Sequence, residues 1–154
     1  MRIGLIADTH GLLRPAALAA LHGCGLIVHA GDIGTPGILS ALAEIAPVHA
    51  VRGNNDRGSW ADGLPDDEVV QVDGHFLYVR HDRAELDLDP AAAGFHVVVT
   101  GHSHRPLHEV RDGVHFINPG SAGPRRFNLP VTLAELVVSV DALEVRFVDL
   151  TRAG

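Results

Sequence analysis

Residues 2–32 read RIGLIADTHGLLRPAALAALHGCGLIVHAGD, and their pattern decides the fold. Arg2 to Ala7 and Leu26 to Ala30 are short apolar runs of strand length. Between them, Pro15 to His22 is rich in Ala and Leu and starts with Pro, whose missing N–H costs nothing in a helix's first turn. The pattern predicts strand, helix, strand, a βαβ unit whose strands run parallel. Each run stops at a polar residue able to bind a metal: Asp8 after the first, and Asp32, one glycine further on, after the second.

The same grammar continues along the chain. Thr35 to Ala46 predicts a second helix, with Thr35 as N-cap before Pro36 and Pro47 as its stop, followed by a strand over His49 to Arg52. Beyond Pro65 the texture turns to β. Glu68 to Val72 and His75 to Arg80 form a predicted hairpin across Asp73-Gly74, because Asp-Gly suits a tight reversal. Phe95 to Thr100 predicts a buried strand. His108 to Arg111 and Val114 to Ile117 predict a second hairpin across Asp112-Gly113, and the last strands fall near Val131 to Val140 and Leu143 to Asp149. No repeat, charge run or low-complexity linker divides the 154 residues, so a single domain over 1–154 is expected, two sheets face to face with helices outside.

Composition narrows the function classes. Twelve Lys and Arg against nineteen Asp and Glu give a net charge of −7, which repels polyanions and argues against broad nucleic-acid binding. Cys24 is the one cysteine, so thiolate-rich structural zinc is excluded and no disulfide is expected. No stretch approaches the roughly 20 apolar residues of a membrane span, and the chain reads as cytoplasmic. Neither Gly-x-Gly-x-x-Gly nor Gly-x-x-x-x-Gly-Lys occurs, which disfavours a nucleotide-fold phosphate loop. A homo-oligomer is compatible with the sequence.

Five apolar runs end in metal-binding residues: Asp8 and His10, Asp32, Asn54, His81, then His102 and His104. In an open α/β sheet, residues that follow separate strands converge beyond the strands' carboxyl ends. Asp8 and His10, at i and i+2 after a strand, can reach one ion. Gly31 allows close backbone approach at Asp32, whose two oxygens suit a bridge between two cations. His102 and His104 repeat the i, i+2 spacing and can give one imidazole to each ion of a pair, and Asn54 and His81 complete the second ion. A mixed carboxylate and imidazole set suits two divalent ions, manganese first, with Ni, Fe, Co or Zn as alternatives.

The blocks Asp8-x-His10, Gly31-Asp32, Gly53-Asn54-Asn55-Asp56, His81 and Gly101-His102-Ser103-His104 resemble those of calcineurin-like metallophosphoesterases, in the same order and spacing. With Asn118-Pro119-Gly120-Ser121 after the last His pair and no cap insertions, residues 2 to about 125 resemble the small bacterial and archaeal phosphodiesterases of the YfcE and MJ0936 type. The resemblance implies an α/β fold, a four-layer αββα sandwich of two mixed sheets. It implies Asp8, His10, Asp32 and His104 around one metal, and Asp32, Asn54, His81 and His102 around the other. Many phosphomonoesterases of that superfamily carry a His where this chain has Asn55. An amide can donate a hydrogen bond but no proton, so Asn55 is expected on the leaving-group side, favouring diesters or other good leaving groups. Asp82-Arg83 departs from the Gly commonly found after the strand-end His.

The expected activity is that of a metal-dependent phosphoric ester hydrolase, a phosphodiesterase in which a metal-bridging hydroxide attacks a small phosphodiester in line with the departing oxygen. Arg125 and Arg126 are candidate clamps for substrate phosphate oxygens. His29, before Asp32, reads as a core or supporting residue, and His22, His49, His75, His96, His108 and His115 receive no chemistry. Two other readings compete. A protein-interaction scaffold of the same fold exists in a eukaryotic retromer subunit, but there the metal set is degraded, whereas all seven positions are intact here. A metal-dependent nuclease shares the chemistry, but one Trp, one Tyr and five Phe make a poor stacking platform for long strands.

Overall fold

A computed structural model of the chain describes residues 1–151. β1 (Arg2–Ile6), α1 (Pro15–Leu21), β2 (Leu26–His29), α2 (Pro36–Ala43) and β3 (Val48–Ala50) form two successive βαβ crossovers. The three strands are parallel, with Ile3 beside Leu26 and Ile27 beside Val48. Helix α3 (Ser59–Asp62) is a single turn. Then come the second sheet's strands: β4 (Asp67–Val72), β5 (His75–Arg80), β6 (Val97–Val99), β7 (Leu107–Arg111) and β8 (Val114–Asn118). β9 (Thr132–Val138) returns antiparallel along β1, and β10 (Leu143–Asp149) pairs with β9. The sheets are β10-β9-β1-β2-β3 and β4-β5-β6-β8-β7, both mixed. In each, three neighbouring parallel strands (β1, β2, β3 and β5, β6, β8) end at one edge of the sandwich.

Alternation decides which side chains meet between the sheets. Ile3 and Leu5 of β1 and Leu26 and Val28 of β2 face Leu77 and Val79 of β5, Val97 and Val99 of β6 and Ile117 of β8 in one buried core. The opposite face of the first sheet, Ile6 and Ile27, packs under Ala17 and Leu21 of α1 and Ile38 and Leu42 of α2. The outer face of the second sheet is covered more thinly. Tyr78, Val98 and Val114 lie beneath Leu86, Leu88 and Phe95, carried by the segment after a 3₁₀ turn at Arg83–Glu85. Both hairpins turn as expected: Asp73, Gly74, Asp112 and Gly113 all have positive φ, the conformation a two-residue hairpin needs to match strand twist.

Candidate metal centre

Every sequence-selected donor lies in a loop leaving the carboxyl end of a parallel strand. Asp8 and His10 follow β1, Asp32 follows β2, Asn54 follows β3, His81 follows β5, and His102 and His104 follow β6. The structure brings these seven side chains together as two groups. Ligand atoms of Asp8, His10 and His104 lie within 4.8 Å of one another, as do those of Asp32, His81 and His102. Asn54 joins the second group, its Oδ1 standing 3.0 Å from His81 Nε2 and 3.2 Å from His102 Nδ1. Asp32 lies between the groups: Oδ2 is 3.7 Å from His10 Nε2 and 3.2 Å from His81 Nε2.

The backbone bends sharply to achieve this. Asp8, His10, Asp32, His102 and His104 all have φ between 46° and 71°, a region few non-glycine residues visit. Asp and His are among the residue types that tolerate it best, and such strain is typical of functional loops. Gly53 is required for a different reason: a Cβ there would collide with the backbone N and the carboxylate of Asp32.

Supporting contacts lock the donors. His81 Nδ1 donates to the Ala30 carbonyl at 2.7 Å, which leaves Nε2 unprotonated and pointing into the group whenever the ring is neutral. Fully buried His29 accepts the Gly31 N–H at Nδ1 (3.1 Å), so Nε2 carries the proton and donates to Thr9 Oγ1 at 3.0 Å; the Thr9 hydroxyl in turn donates to the Ile33 carbonyl. The supporting reading of His29 thus has a definite geometry, behind Asp8 and His10.

Asp56 is a residue that sequence reading left without a role. Buried, it accepts the N–H groups of Ile33 (2.9 Å), Gly34 (3.0 Å) and Gly53 (2.9 Å), binding the loop after β2 to the loop after β3. Its signal was its place in the Gly-Asn-Asn-Asp block. Asn118 and Ser121 do similar work: Asn118 Nδ2 donates to the Gly101 carbonyl and Ser121 Oγ to the Asp8 carbonyl, both at 2.9 Å.

Asn55 is turned toward Asp32. Its backbone N–H reaches Oδ1 at 2.9 Å, and one amide N–H reaches Oδ2 at 3.1 Å. Arg125 is exposed and donates from Nε to the Leu129 carbonyl within its own loop. Arg126 is exposed, and its charge is felt by Asp8, His10 and His104. Asp82 caps the 3₁₀ turn through the Ala84 N–H and stands 3.8 Å from His102 Nε2.

Electrostatics separate the two groups. Burial, helped by nearby Asp32, pushes the Asp8 carboxyl up to about 7 against the pull of His81. Burial also lowers His10, and it pushes His104 down to about 4 with the Arg126 and His10 charges adding to the effect. Asp32 behaves in the opposite way. Its burial is outweighed by the His81 hydrogen bond and the two Asn55 N–H groups, which hold it well below the ordinary carboxylate range. His81, though buried, is raised by Asp32 and Asp8.

The donor set fits divalent cations. Asp8 Oδ1 is buried with no hydrogen-bond donor, yet it lies 3.7 to 4.0 Å from the Nε2 atoms of His10, His81 and His104. A lone buried carboxylate oxygen facing three imidazole nitrogens is costly unless a cation fills the space among them. Mixed oxygen and imidazole donors suit Mn, Fe, Co, Ni or Zn.

Comparison with known proteins agrees with this geometry. Residues 1–141 match the calcineurin-like phosphoesterase superfamily domain, and the chain belongs to that family. A probable metallophosphoesterase of Methanothermobacter thermautotrophicus is 31% identical, over 100% of this chain and 94% of the relative. The phosphodiesterase MJ0936 of Methanocaldococcus jannaschii is 26% identical, over 78% of this chain and 83% of the relative. Among solved structures, Vps29 of Entamoeba histolytica complexed with Zn²⁺ superposes with a TM-score of 0.75 at 22% identity, covering 98% of this chain and 100% of that one. The fold is therefore that of the calcineurin-like phosphoesterases. Among the described residues no helix is long and apolar enough to cross a membrane.

Proposed function

We propose that this chain is a phosphodiesterase acting on small phosphodiesters, with one divalent ion held by Asp8, His10, Asp32 and His104 and a second by Asp32, Asn54, His81 and His102. The observation that carries this reading is the position of Asp32 Oδ2 between two separate sets of ligand atoms, 3.7 Å from His10 and 3.2 Å from His81. When bound, a pair of such ions lowers the pKa of water toward neutrality and offsets charge that develops on a phosphoryl group.

The chain's own residues supply orientation. Asn54 and His102, both exposed at the mouth, are placed to contact phosphoryl oxygens. Asn55 steadies Asp32 with one amide hydrogen and keeps its second available for an oxygen of the substrate. It cannot protonate a departing alkoxide, so diesters with good leaving groups are favoured. Manganese is the preferred metal in this reading. The relative named as a phosphodiesterase supports the substrate class.

The test is hydrolysis of bis(p-nitrophenyl) phosphate by chain loaded with Mn²⁺, paired with elemental analysis of the purified protein. Turnover with two ions per chain is expected, and an inert protein that holds two ions ends the reading. A second reading, a protein-interaction scaffold, is favoured by the likeness to Vps29. Absence of turnover, whether or not the purified chain holds divalent ions, would select it, since that Vps29 itself carries Zn²⁺.

A further inference from the structure

Phe127 has no role in the metal chemistry and is unusual in two ways. It is 86% exposed, the most exposed large hydrophobic side chain among the described residues, and its φ is 54°. It is the second residue of a tight turn closed by the Leu129 N–H on the Arg126 carbonyl at 3.1 Å, a position where positive φ normally calls for glycine. The other described non-glycine residues with positive φ are five donors of the candidate centre and the two hairpin aspartates. An aromatic ring held in water on a strained backbone points to use, because such outliers persist where function requires them.

The turn is rooted on the centre. Ser121 Oγ donates to the Asp8 carbonyl at 2.9 Å and the Ala122 N–H to the Ala7 carbonyl at 3.0 Å. Gly123 lies so close to the Thr9 carbonyl that a Cβ would collide with it. Arg14 Nε, in the loop after His10, donates to the Gly123 carbonyl at 3.2 Å. Arg14 and Arg126 therefore border this side of the centre in a chain of net charge −7, and the Arg126 charge reaches Asp8, His10 and His104. The opposite side differs: beside Asn54 and His81 is a hollow of about 270 Å³ where Asp66, Asp82 and Glu85 outnumber Arg52. An anionic group with a flat apolar appendage is favoured on the first side and repelled from the second. Phe127 is flanked by exposed Arg125, Arg126 and Asn128, which suits one planar ring better than a broad protein face.

Building on the phosphodiesterase reading, we infer that the Arg126–Leu129 turn is a subsite for a nucleobase, with Phe127 stacking on the base and Arg126 contacting the phosphate that bears it. The preferred substrates are then small diesters in which one esterified group is a nucleoside. Stacking of a base on an aromatic side chain is sequence-tolerant, because every base has a π face, and is worth about tenfold or more in affinity.

The experiment compares the p-nitrophenyl ester of thymidine 5′-monophosphate with methyl p-nitrophenyl phosphate, two diesters with the same leaving group, on the Mn²⁺-loaded chain. The nucleoside ester is expected to have the higher kcat/KM by about tenfold, mainly through KM. Phe127→Gly brings that ratio near unity without lowering Tm, since glycine takes this φ freely, and Phe127→Tyr keeps the ratio. A wild-type ratio near unity, or a Phe127→Gly protein that keeps the preference, overturns the inference. So does a concentration-dependent dimer that Phe127→Gly dissociates, which would assign the ring to contact between copies. If neither ester is hydrolysed, the phosphodiesterase reading fails, and the subsite is judged without turnover. Thymidine 5′-monophosphate and ribose 5-phosphate are titrated into the metal-free chain. Selective weakening of the nucleotide by about tenfold in Phe127→Gly supports the subsite, and equal binding to both proteins overturns it.

Discussion

The Asp8 group and the Asp32 group are built from the same residue types and rest in opposite charge states. Asp8 receives one N–H, from His102 at 3.1 Å, and its other oxygen receives none, so burial wins and its carboxyl rises to about 7 while His10 and His104 fall. Asp32 receives both Asn55 N–H groups and faces His81 at 3.2 Å, so its carboxylate stays charged and draws a proton onto the imidazole. The second group has an internal cation in His81, whereas the first is short of positive charge. What separates them is three donors, not the ligand types, and that makes the difference open to mutation.

The largest expected effect follows from Asp32 standing between the groups. Asp32→Ala should remove both ions and bring diester turnover below detection. His81→Ala should keep the first ion and retain measurable turnover, although losing a direct ligand costs more than the roughly 10–100-fold typical of an outer partner. Elemental analysis beside the rate assay checks both. Two ions retained in Asp32→Ala would show that the groups do not share it.

Next in size is a pair of isosteric changes with opposite signs. The folded pKa of Asp8, about 7, lies above its unfolded value of 3.8, so ionising it costs stability that begins to be lost as pH rises past 3.8 and is fully lost above about 7. That cost is at most about 4 kcal/mol, and Asp8→Asn removes it, so metal-free Asp8→Asn should melt higher than wild type at pH about 8. The folded pKa of Asp32 is depressed, so its contribution is present above the unfolded value and lost only as pH falls through the folded one. Asp32→Asn breaks a buried charged pair and should melt lower, by roughly 3–5 kcal/mol. Thermal denaturation in chelator checks both, and shifts of the same sign would erase the contrast between the groups.

A smaller effect is the pH dependence of metal uptake. Without metal, Asp8 holds a proton below about pH 7, and His81 holds one to above its ordinary range. Both must be released for the cations to bind, so Mn²⁺ affinity should rise with pH, by about tenfold per pH unit for each proton released. Calorimetry in buffers of different ionisation enthalpy counts the protons. In Asp8→Asn the count should drop by nearly one at pH about 6 and by about half at pH about 7, and an unchanged count would move the titration elsewhere.

The ligand types of both groups were readable in the chain, but the electrostatic contrast between them was not. Asp8, His10, Asp32, Asn54, His81, His102 and His104 each follow an apolar run, and a run that stops at a donor is a local signal. The βαβ units and both Asp-Gly hairpins were legible for the same reason, with ends off by a few residues: α2 closes at Ala43 rather than Ala46, and β3 covers Val48–Ala50 rather than His49 to Arg52. Single-turn α3 and the cover over Tyr78 and Val98 left no periodic trace. The donors that set the charge states are pairings between distant loops. Asn55 meets Asp32 across 23 residues, Asp56 meets Ile33 across 23, and His102 meets Asp8 across 94, so each depends on how strands register in the finished sheets. The resemblance places Asn55 on the leaving-group side, and the chain alone gives no sign that one of its amide hydrogens is held by Asp32.

The smallest effect sharpens the contrast from behind. Thr9 lies between Asp8 and His10 and connects fully buried His29 to the Ile33 carbonyl through its hydroxyl, and the chain of bonds lies behind the first group. Thr9→Val keeps the volume and removes the hydroxyl, leaving the buried His29 Nε2–H without an acceptor while the Ile33 carbonyl keeps the Gly11 N–H at 2.8 Å, at a cost of about 1–3 kcal/mol. His29 itself stays neutral, because burial holds it near 3. Its neutrality depresses a folded pKa below the unfolded 6.5, so the stability it contributes is present above about pH 6.5 and lost as pH falls toward 3, in wild type and variant alike. The Tm loss in Thr9→Val should therefore be nearly constant from pH about 7 to 9, while the affinity loss for Mn²⁺ is confined to one of the two ions, the one beside His10. Equal weakening of both ions would mean that the loop after β1 supports the whole centre, and the two groups would then have to be treated as a single unit.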